Sequence, residues 1–111
     1  MPQIDYFFST LSPFTYLAGN RLEEIAEKHA ASIVYKPMDI MALFPRSGGI
    51  VPKDRHPSRM EYRMQELKRA SKKTGMAMNF QPAHFPTNAA PSSYAIIAAQ
   101  NSGGNVGPLV Q

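Results

Sequence analysis

One serine stands where a short apolar segment gives way to a helical pattern, and this junction constrains the fold more than any other feature of the 111 residues. Residues 4–8 are mostly aromatic or β-branched, which predicts a buried strand. After Ser12, Pro13 suits the first position of a helix because it lacks an N–H group, and apolar residues recur at helical spacing as far as Ala26. The sequence therefore predicts a strand, an N-cap at Ser12 and one helix that continues to about His29.

Two interpretations of Ser12 stay open at this point. A helix start exposes unpaired N–H groups and carries a partial positive charge, so it stabilises an anion placed against it, including a thiolate. Serine before proline is also a common structural cap, which needs no ligand. The residues alone allow both a site and a cap.

The chain contains no cysteine, which excludes disulfides, thiolate metal sites and dithiol chemistry carried by the chain itself. Any reacting thiol must therefore arrive on a ligand. No apolar stretch approaches the ~20 residues that span a bilayer, and the first residues lack the pattern of a signal peptide. We expect a cytoplasmic protein with no membrane partner.

Twelve Lys and Arg residues stand against eight Asp and Glu residues, giving a formal charge of +4, and many of the basic residues lie between Arg55 and Lys73. Helical spacing predicts that Met60, Met64 and Leu67 face inward, so most of the basic groups form a solvated face. Few aromatic residues interleave with them, so we expect no nucleic-acid partner. The three histidines are not spaced as ligands on one element, and we expect no metal site.

The rest of the chain predicts a β-α-β unit followed by helices. Residues 32–36 predict a second strand that ends at Pro37. Residues 38–57 predict a long connection with at most one helical turn, and residues 80–86 an extended segment. Two further helices are expected, one capped by Ser58, running to about Thr74 and closed by Gly75, and one that starts at Pro91 with Tyr94, Ile97 and Ala98 on one face.

The run around the serine reads Leu11-Ser12-Pro13-Phe14-Thr15-Tyr16-Leu17-Ala18. It resembles the N-terminal motif of the 2-hydroxychromene-2-carboxylate isomerases and the related kappa-class glutathione transferases. Ser9 and Thr10 depart from the motif, which usually has an acidic and an apolar residue there. Both families are similar to the DsbA-like branch of the thioredoxin fold, with serine in place of the first redox cysteine.

The resemblance implies an α/β, thioredoxin-like fold with a helical insertion. The resemblance implies one domain over residues 1–111, with a β-α-β unit at 1–37, a loop at 38–57 and a helical insertion at 58–111. The C-terminal half of the family's domain would then be absent. We expect such a chain to be poorly stable alone or to associate, because both strands keep open edges and the helices expose apolar side chains, including Leu17, Ile25, Leu67 and Ile97.

The resemblance also implies a cofactor and its site. Glutathione would bind with its sulfur near the catalytic Ser12, next to Pro13 and Phe14. Gly49 falls where the family tends to have a Gly-Asn pair that contributes to glutathione binding. Arg59 falls where relatives carry a basic residue near the ligand.

The implied activity is isomerisation of a small aromatic substrate. The glutathione thiolate would add to 2-hydroxychromene-2-carboxylate, allow rotation and then leave, giving trans-o-hydroxybenzylidenepyruvate in aromatic degradation. A homodimer is the expected assembly. Two alternatives stay open: a kappa-like glutathione transferase, and a catalytically incomplete, truncated chain or helical binding module.

Overall fold

The computed structural model describes residues 2–82 and 87–111, which form two compact units. The sheet unit consists of the residues up to Met38 together with Asn88–Gln111, and the helical unit is Asp39–Thr87. Within the described residues, no helix is long and apolar enough to cross a membrane. In chain order the elements are β1 (Gln3–Phe8), α1 (Pro13–Leu17), α2 (Arg21–Lys28), β2 (Ser32–Pro37), α3 (Ile40–Ser47), a 3-10 turn (Pro52–Asp54), α4 (Pro57–Thr74), α5 (Ala90–Asn101) and α6 (Gly107–Val110).

The two predicted strands are confirmed to within one residue and pair in parallel, with Tyr6 opposite Tyr35. Burial alternates along β1, so that Phe8 is buried and Phe7 is exposed. This period of two is the one that a strand with one covered face requires. The core of the sheet unit consists of Phe8, Tyr35, Ile96 and Val106, with Tyr6, Ile33, Ala99 and Val110 packed against it.

A glutamine side chain closes the outer edge of β2. The N–H groups of Ser32 and Met38 donate toward the β1 side, to Pro2 and Phe8 at 2.9 Å. Because peptide groups alternate along a strand, the N–H of Tyr35 faces the other edge. There it donates to Gln100 Oε1 at 2.8 Å, while Gln100 Nε2 donates to the Tyr35 carbonyl at 3.0 Å. The amide of Gln100 thus forms the pair of bonds that another strand would form.

A second contact ties β2 to α2 through the Tyr35 hydroxyl. It donates to Glu23 Oε1 at 2.8 Å, whereas the buried Glu23 Oε2 has no hydrogen-bond partner among the described residues. Burial first, and then this carboxylate, raise the pKa of Tyr35 above its usual range. Gly107 leaves the necessary room, because a Cβ there would lie 3.2 Å from the Tyr35 hydroxyl oxygen.

The first helix differs from its prediction, since the single helix expected from Pro13 to about His29 is two helices. α1 ends at Leu17, and α2 begins at Arg21. Gly19 between them has φ of +59°, a left-handed conformation that glycine adopts without steric penalty and that interrupts the helix. The apolar spacing continues through the break, which is why the periodicity did not reveal it.

The connection predicted at residues 38–57 is largely helical, so that prediction is wrong. Asp39 caps α3 by accepting from the N–H of Ala42 at 3.2 Å, and the helix continues through Pro45 to Ser47. Gly48 then ends α3 with φ of +78°. The prolines and glycines of this segment suggested a loop, but a proline near the end of a two-turn helix removes one donor only.

The long helix α4 has the predicted end but a different start. Gly75 closes it in a left-handed conformation, as predicted. The N-cap is His56 rather than Ser58, because Pro57 occupies the first helical position and His56 Nδ1 accepts from the N–H of Ser58 at 3.1 Å. Of the stripe predicted to face inward, Leu67 is buried, whereas Met60 is 36% exposed and does not follow that prediction.

Helix α5 begins at Ala90, next to the predicted Pro91, and the predicted face of Tyr94, Ile97 and Ala98 is its exposed side, as expected for Ile97. Ile96 is 2% exposed, whereas Tyr94 and Ile97 are 68% and 39% exposed. Gln100 lies four residues after Ile96 and therefore shares its face, so the bonds to Tyr35 fix the rotation of the helix.

The predicted boundaries of the insertion also change. Because α5 packs on β2, residues 88–111 belong to the sheet unit, and the helical unit covers 39–87 rather than 58–111.

Leu17 is buried although we expected it to be exposed, while Ile25 is exposed as expected. Of the extended segment predicted at 80–86, residues 83–86 lie outside the described residues.

We predict that Gln100→Leu lowers the free energy of unfolding by about 1–3 kcal/mol, because the N–H and C=O of Tyr35 lose their partners. Urea unfolding followed by circular dichroism measures this. The matched control is Gln65→Leu on the exposed side of α4, which should change stability by less than about 0.5 kcal/mol. Equal stability of the two variants would mean that water satisfies the edge of β2.

We also predict that the free energy of unfolding falls at alkaline pH because of Tyr35. Its pKa is raised in the folded state, so its contribution to stability is complete below the unfolded pKa of about 10 and falls as pH rises above that value. Tyr35→Phe should flatten the loss of unfolding free energy above pH ~10 and destabilise the protein by about 1–3 kcal/mol at neutral pH, where Glu23 Oε1 loses its donor. Unfolding curves at several pH values test this, with the exposed Tyr94→Phe as the control. A Tyr35→Phe curve that falls as steeply as the wild-type curve would contradict the prediction.

Candidate functional site

A tight turn carries the chain from the end of β1 to Ser12. The N–H of Ser12 donates to the Ser9 carbonyl at 3.2 Å, and the buried Ser9 hydroxyl accepts from the N–H of Leu11 at 3.2 Å. At Thr10 the turn also meets α5, because the Ser92 hydroxyl donates to Thr10 Oγ1 at 3.0 Å. These bonds fix the position of Ser12 from both sides. Nothing in the sequence pointed to the contact between Thr10 and Ser92, since 82 residues separate them.

Ser12 is the N-cap of α1, as the sequence predicts. Its φ and ψ of −75° and 120° are extended, and Pro13 follows at the first helical position. Ser12 Oγ accepts from the N–H of Thr15 at 3.2 Å. The serine therefore has the geometry of a structural cap, and that interpretation needs no ligand.

The N-cap hydrogen bond does not use all the hydrogen-bonding capacity of the Ser12 hydroxyl. A serine hydroxyl has one proton to donate and two lone pairs, and the bond from Thr15 uses one lone pair. Ser12 is only partly buried, so a ligand atom can reach it. The hydroxyl can therefore cap the helix and donate its proton to an anion at the same time.

The backbone amides of the first turn add one donor beside Ser12. Pro13 has no N–H, and the N–H of Thr15 is bonded to Ser12. The N–H of Phe14 is the remaining amide of the first turn that lies too early for an intrahelical acceptor. The Phe14 side chain is 43% exposed and offers an aromatic surface next to these donors.

Tyr6 and Thr15 lie on the inner side of the same region. Burial and the charge of Glu23 raise the pKa of Tyr6, and a hydrogen bond with the Thr15 side chain acts in the opposite direction. Tyr6 therefore stays protonated and neutral at physiological pH. Tyr6 and Thr15 thus add two neutral hydroxyl groups on the inner side of this region.

Gly49, a predicted cofactor-binding residue, is explained by packing within the helical unit. Its N–H donates to the Phe44 carbonyl at 2.9 Å, so this amide already has an acceptor. A Cβ at Gly49 would lie 2.7 Å from Phe44 Cδ1, a distance that real Cβ atoms do not show. Glycine is thus required here by the ring of Phe44.

Arg59, the other predicted cofactor-binding residue of the helical unit, is exposed near the start of α4. Its N–H donates to the His56 carbonyl at 2.9 Å. Ser12, Pro13 and Phe14 therefore lie together in the sheet unit, while Gly49 and Arg59 lie in the helical unit. Across the described ranges, no three His, Cys, Asp or Glu side chains cluster so as to hold a metal ion, and His84 is outside those ranges.

Comparisons with known proteins identify relatives of the chain and the family of its fold. Two curated proteins named 2-hydroxychromene-2-carboxylate isomerase, from Pseudomonas putida and Sphingobium xenophagum, are 30% and 32% identical to the chain over 83 residues. These matches cover 74% of this chain but only 40% and 42% of the relatives, so the chain spans about two fifths of their length.

A solved structure described as a 2-hydroxychromene-2-carboxylate isomerase shares the fold, with a TM-score of 0.58 at 23% identity. The similarity covers 87% of this chain and 55% of that one. The family model of the DSBA-like thioredoxin domain matches residues 3–109, nearly the whole sequence. The α/β fold with its parallel strands is thus that of a known family, and the chain belongs to the DSBA-like thioredoxin domain family.

Proposed function

We propose that this chain carries the thiol-activating part of a glutathione-dependent isomerase that interconverts 2-hydroxychromene-2-carboxylate and trans-o-hydroxybenzylidenepyruvate. The observation that carries the proposal is the hydroxyl of Ser12, held between β1 and α1 with its proton available. The relatives named 2-hydroxychromene-2-carboxylate isomerase support the reaction. Because the chain spans only part of their length, the reaction and its substrate are proposed for this chain.

The residues at the start of α1 fit a thiol ligand. Ser12 and the N–H of Phe14 are donors, and a thiolate is an acceptor that such donors stabilise. The chain has no cysteine of its own, so the sulfur has to come from the ligand. Bound glutathione would supply the thiolate nucleophile for the reaction.

The chain's own residues do three things in this proposal. Ser12 donates its proton toward the ligand sulfur and so lowers the pKa of the ligand thiol. The N–H of Phe14 adds a second donor, and the Phe14 ring offers an apolar surface to an aromatic substrate. Because α1 has only five residues, these individual donors matter more than the dipole of the helix.

Arg59 would attract a carboxylate of glutathione. Its exposed guanidinium is a free charge at the start of α4, with no carboxylate within 4 Å among the described residues. Gly49 stays in the proposal only through its carbonyl, since its N–H is bonded to Phe44. We further propose that the protein is cytoplasmic and that it forms a homodimer.

We predict that Ser12→Ala raises the pKa of bound glutathione by about one unit, equivalent to ~1.4 kcal/mol. Thiolate absorbance in the ultraviolet, measured as a function of pH, gives this pKa. Losing the cap should also destabilise the protein by about 1 kcal/mol. Ser12→Thr keeps a hydroxyl at the N-cap and should restore both properties.

The matched control is Asp39→Ala, which removes the cap of α3 in the helical unit. It should cost about 1 kcal/mol in stability and leave the thiol pKa unchanged. If Ser12→Ala behaves like Asp39→Ala in both measurements, Ser12 is a cap and the proposed activation is wrong.

We also predict that Arg59→Ala weakens glutathione binding by up to about 1 kcal/mol, roughly fivefold, because an exposed ion pair contributes little. Isothermal titration calorimetry measures the dissociation constant. The thiol pKa should not change, since Arg59 acts on a carboxylate. Lys68→Ala, at an exposed position of the same helix, should leave the dissociation constant unchanged, and an equal effect of both substitutions would remove Arg59 from the site.

A further inference from the structure

Helix α5 meets the rest of the sheet unit through three residues that are spaced four apart, Ser92, Ile96 and Gln100. Residues at this spacing lie on one face of a helix, about one turn from each other. Ile96 is in the core, and Gln100 bonds to the backbone of Tyr35. Because these two contacts fix the rotation of α5 about its axis, Ser92 faces the same side near the start of the helix.

At that end of α5, Ser92 reaches the turn that leads to the candidate site. Its hydroxyl oxygen lies 3.0 Å from Thr10 Oγ1 and 3.0 Å from the Ala89 carbonyl oxygen. A hydroxyl has one proton and two lone pairs, and the Thr10 hydroxyl can donate as well as accept. Ser92 can therefore bond to Thr10 and to the Ala89 carbonyl at the same time. The contact with the turn is thus compatible with the bond that Ser92 forms at the start of its own helix.

Thr10 is a central residue of the turn that ends at Ser12. The N–H of Ser12 donates to the Ser9 carbonyl, which closes a four-residue turn with Thr10 and Leu11 in the middle. On the buried side, the Ser9 hydroxyl holds the N–H of Leu11. On the exposed side, Ser92 holds the side chain of Thr10. A displacement of Thr10 would rotate the peptide groups that lead into Ser12 and so move its hydroxyl.

We infer that Ser92 is a positioning residue for the Ser12 hydroxyl. It acts through Thr10, and it passes the fixed placement of α5 on the sheet to the turn. The inference rests on the proposed function, in which Ser12 donates its proton to the sulfur of glutathione. Such a donor is effective only when its proton points at the acceptor, because hydrogen bonds weaken steeply as they bend. A turn held at Thr10 keeps Ser12 oriented before the ligand binds.

The first experiment measures the turn without a ligand. Amide hydrogen exchange, followed by NMR, reports the opening of the bonds made by the N–H groups of Ser12 and Thr15. Because water competes for the exposed contact of Ser92, we expect Ser92→Ala to speed both exchange rates by only about two- to fivefold. Thr10→Val removes the same contact from the other side and should have the same effect. The double variant should exchange no faster than either single variant.

The second experiment measures the consequence for the ligand thiol. In Ser92→Ala, the pKa of bound glutathione, followed by thiolate absorbance, should rise by about 0.3–0.7 unit, a two- to fivefold change in the dissociation constant of its proton. Ser92→Thr keeps a hydroxyl and should restore both the exchange rates and the thiol pKa. A contact that only stabilised the fold would leave the thiol pKa unchanged.

The matched control is Ser102→Ala, directly after the other end of α5. The exposed Ser102 hydroxyl donates to the Ala98 carbonyl at 3.0 Å, so this variant also removes a hydroxyl bond to the helix backbone, but away from the turn. The exchange rates of Ser12 and Thr15 and the thiol pKa should match those of the wild type.

Three outcomes decide the inference separately from the proposed function. Equal exchange rates at Ser12 in Ser92→Ala and Ser102→Ala would overturn the inference, whether or not glutathione binds. Faster exchange in Ser92→Ala with an unchanged thiol pKa would also overturn it, because Ser92 would then be structural only. If the wild type binds no glutathione, the proposed function fails, and the exchange rates still decide whether Ser92 positions Ser12.

Discussion

The amide of Gln100 against the backbone of Tyr35 is the contact on which the sheet unit depends. A two-stranded parallel sheet leaves backbone groups without partners at both edges, and such a sheet is marginal by itself. Gln100 supplies one donor and one acceptor to β2, at 3.0 and 2.8 Å, from a position 65 residues away. The same contact sets the rotation of α5, which brings Ile96 into the core with Phe8 and Val106. One polar side chain therefore determines both the edge and the packing of the sheet.

Local signals in the sequence were enough for the strands and for several helix ends. Short aromatic and β-branched runs identify β1 and β2, and Gly75 marks the end of α4, because these features depend on neighbouring residues only. Two features of the fold were not predicted, and each has its own cause. The inward face of α5 depends on a distant partner of Gln100, and the break at Gly19 depends on a backbone angle that glycine permits but does not require.

In the candidate site, too, local features could be predicted from the sequence and contacts between distant residues could not. Ser12 could be found from the sequence, since a serine followed by proline at the start of an apolar helical pattern is a local feature. Its second role, as the acceptor for Thr15, also follows from that position. The contact between Thr10 and Ser92 could not be found, because 82 residues separate the two side chains. The structure gives Gly49 a packing role beside the ring of Phe44, which the sequence did not indicate, and its predicted role in cofactor binding stays a prediction.

The distance along the chain between Tyr35 and Gln100 has a consequence during synthesis. At a ribosomal rate of about 5–20 residues per second, the 65 residues between them take roughly 3–13 s to add. Throughout that interval the nascent β2 has an uncovered edge, while the intervening helical unit, whose hydrogen bonds are local, is already able to form. The outer edge of β2 is thus an exposed surface that chaperones or other nascent chains can contact before translation reaches α5.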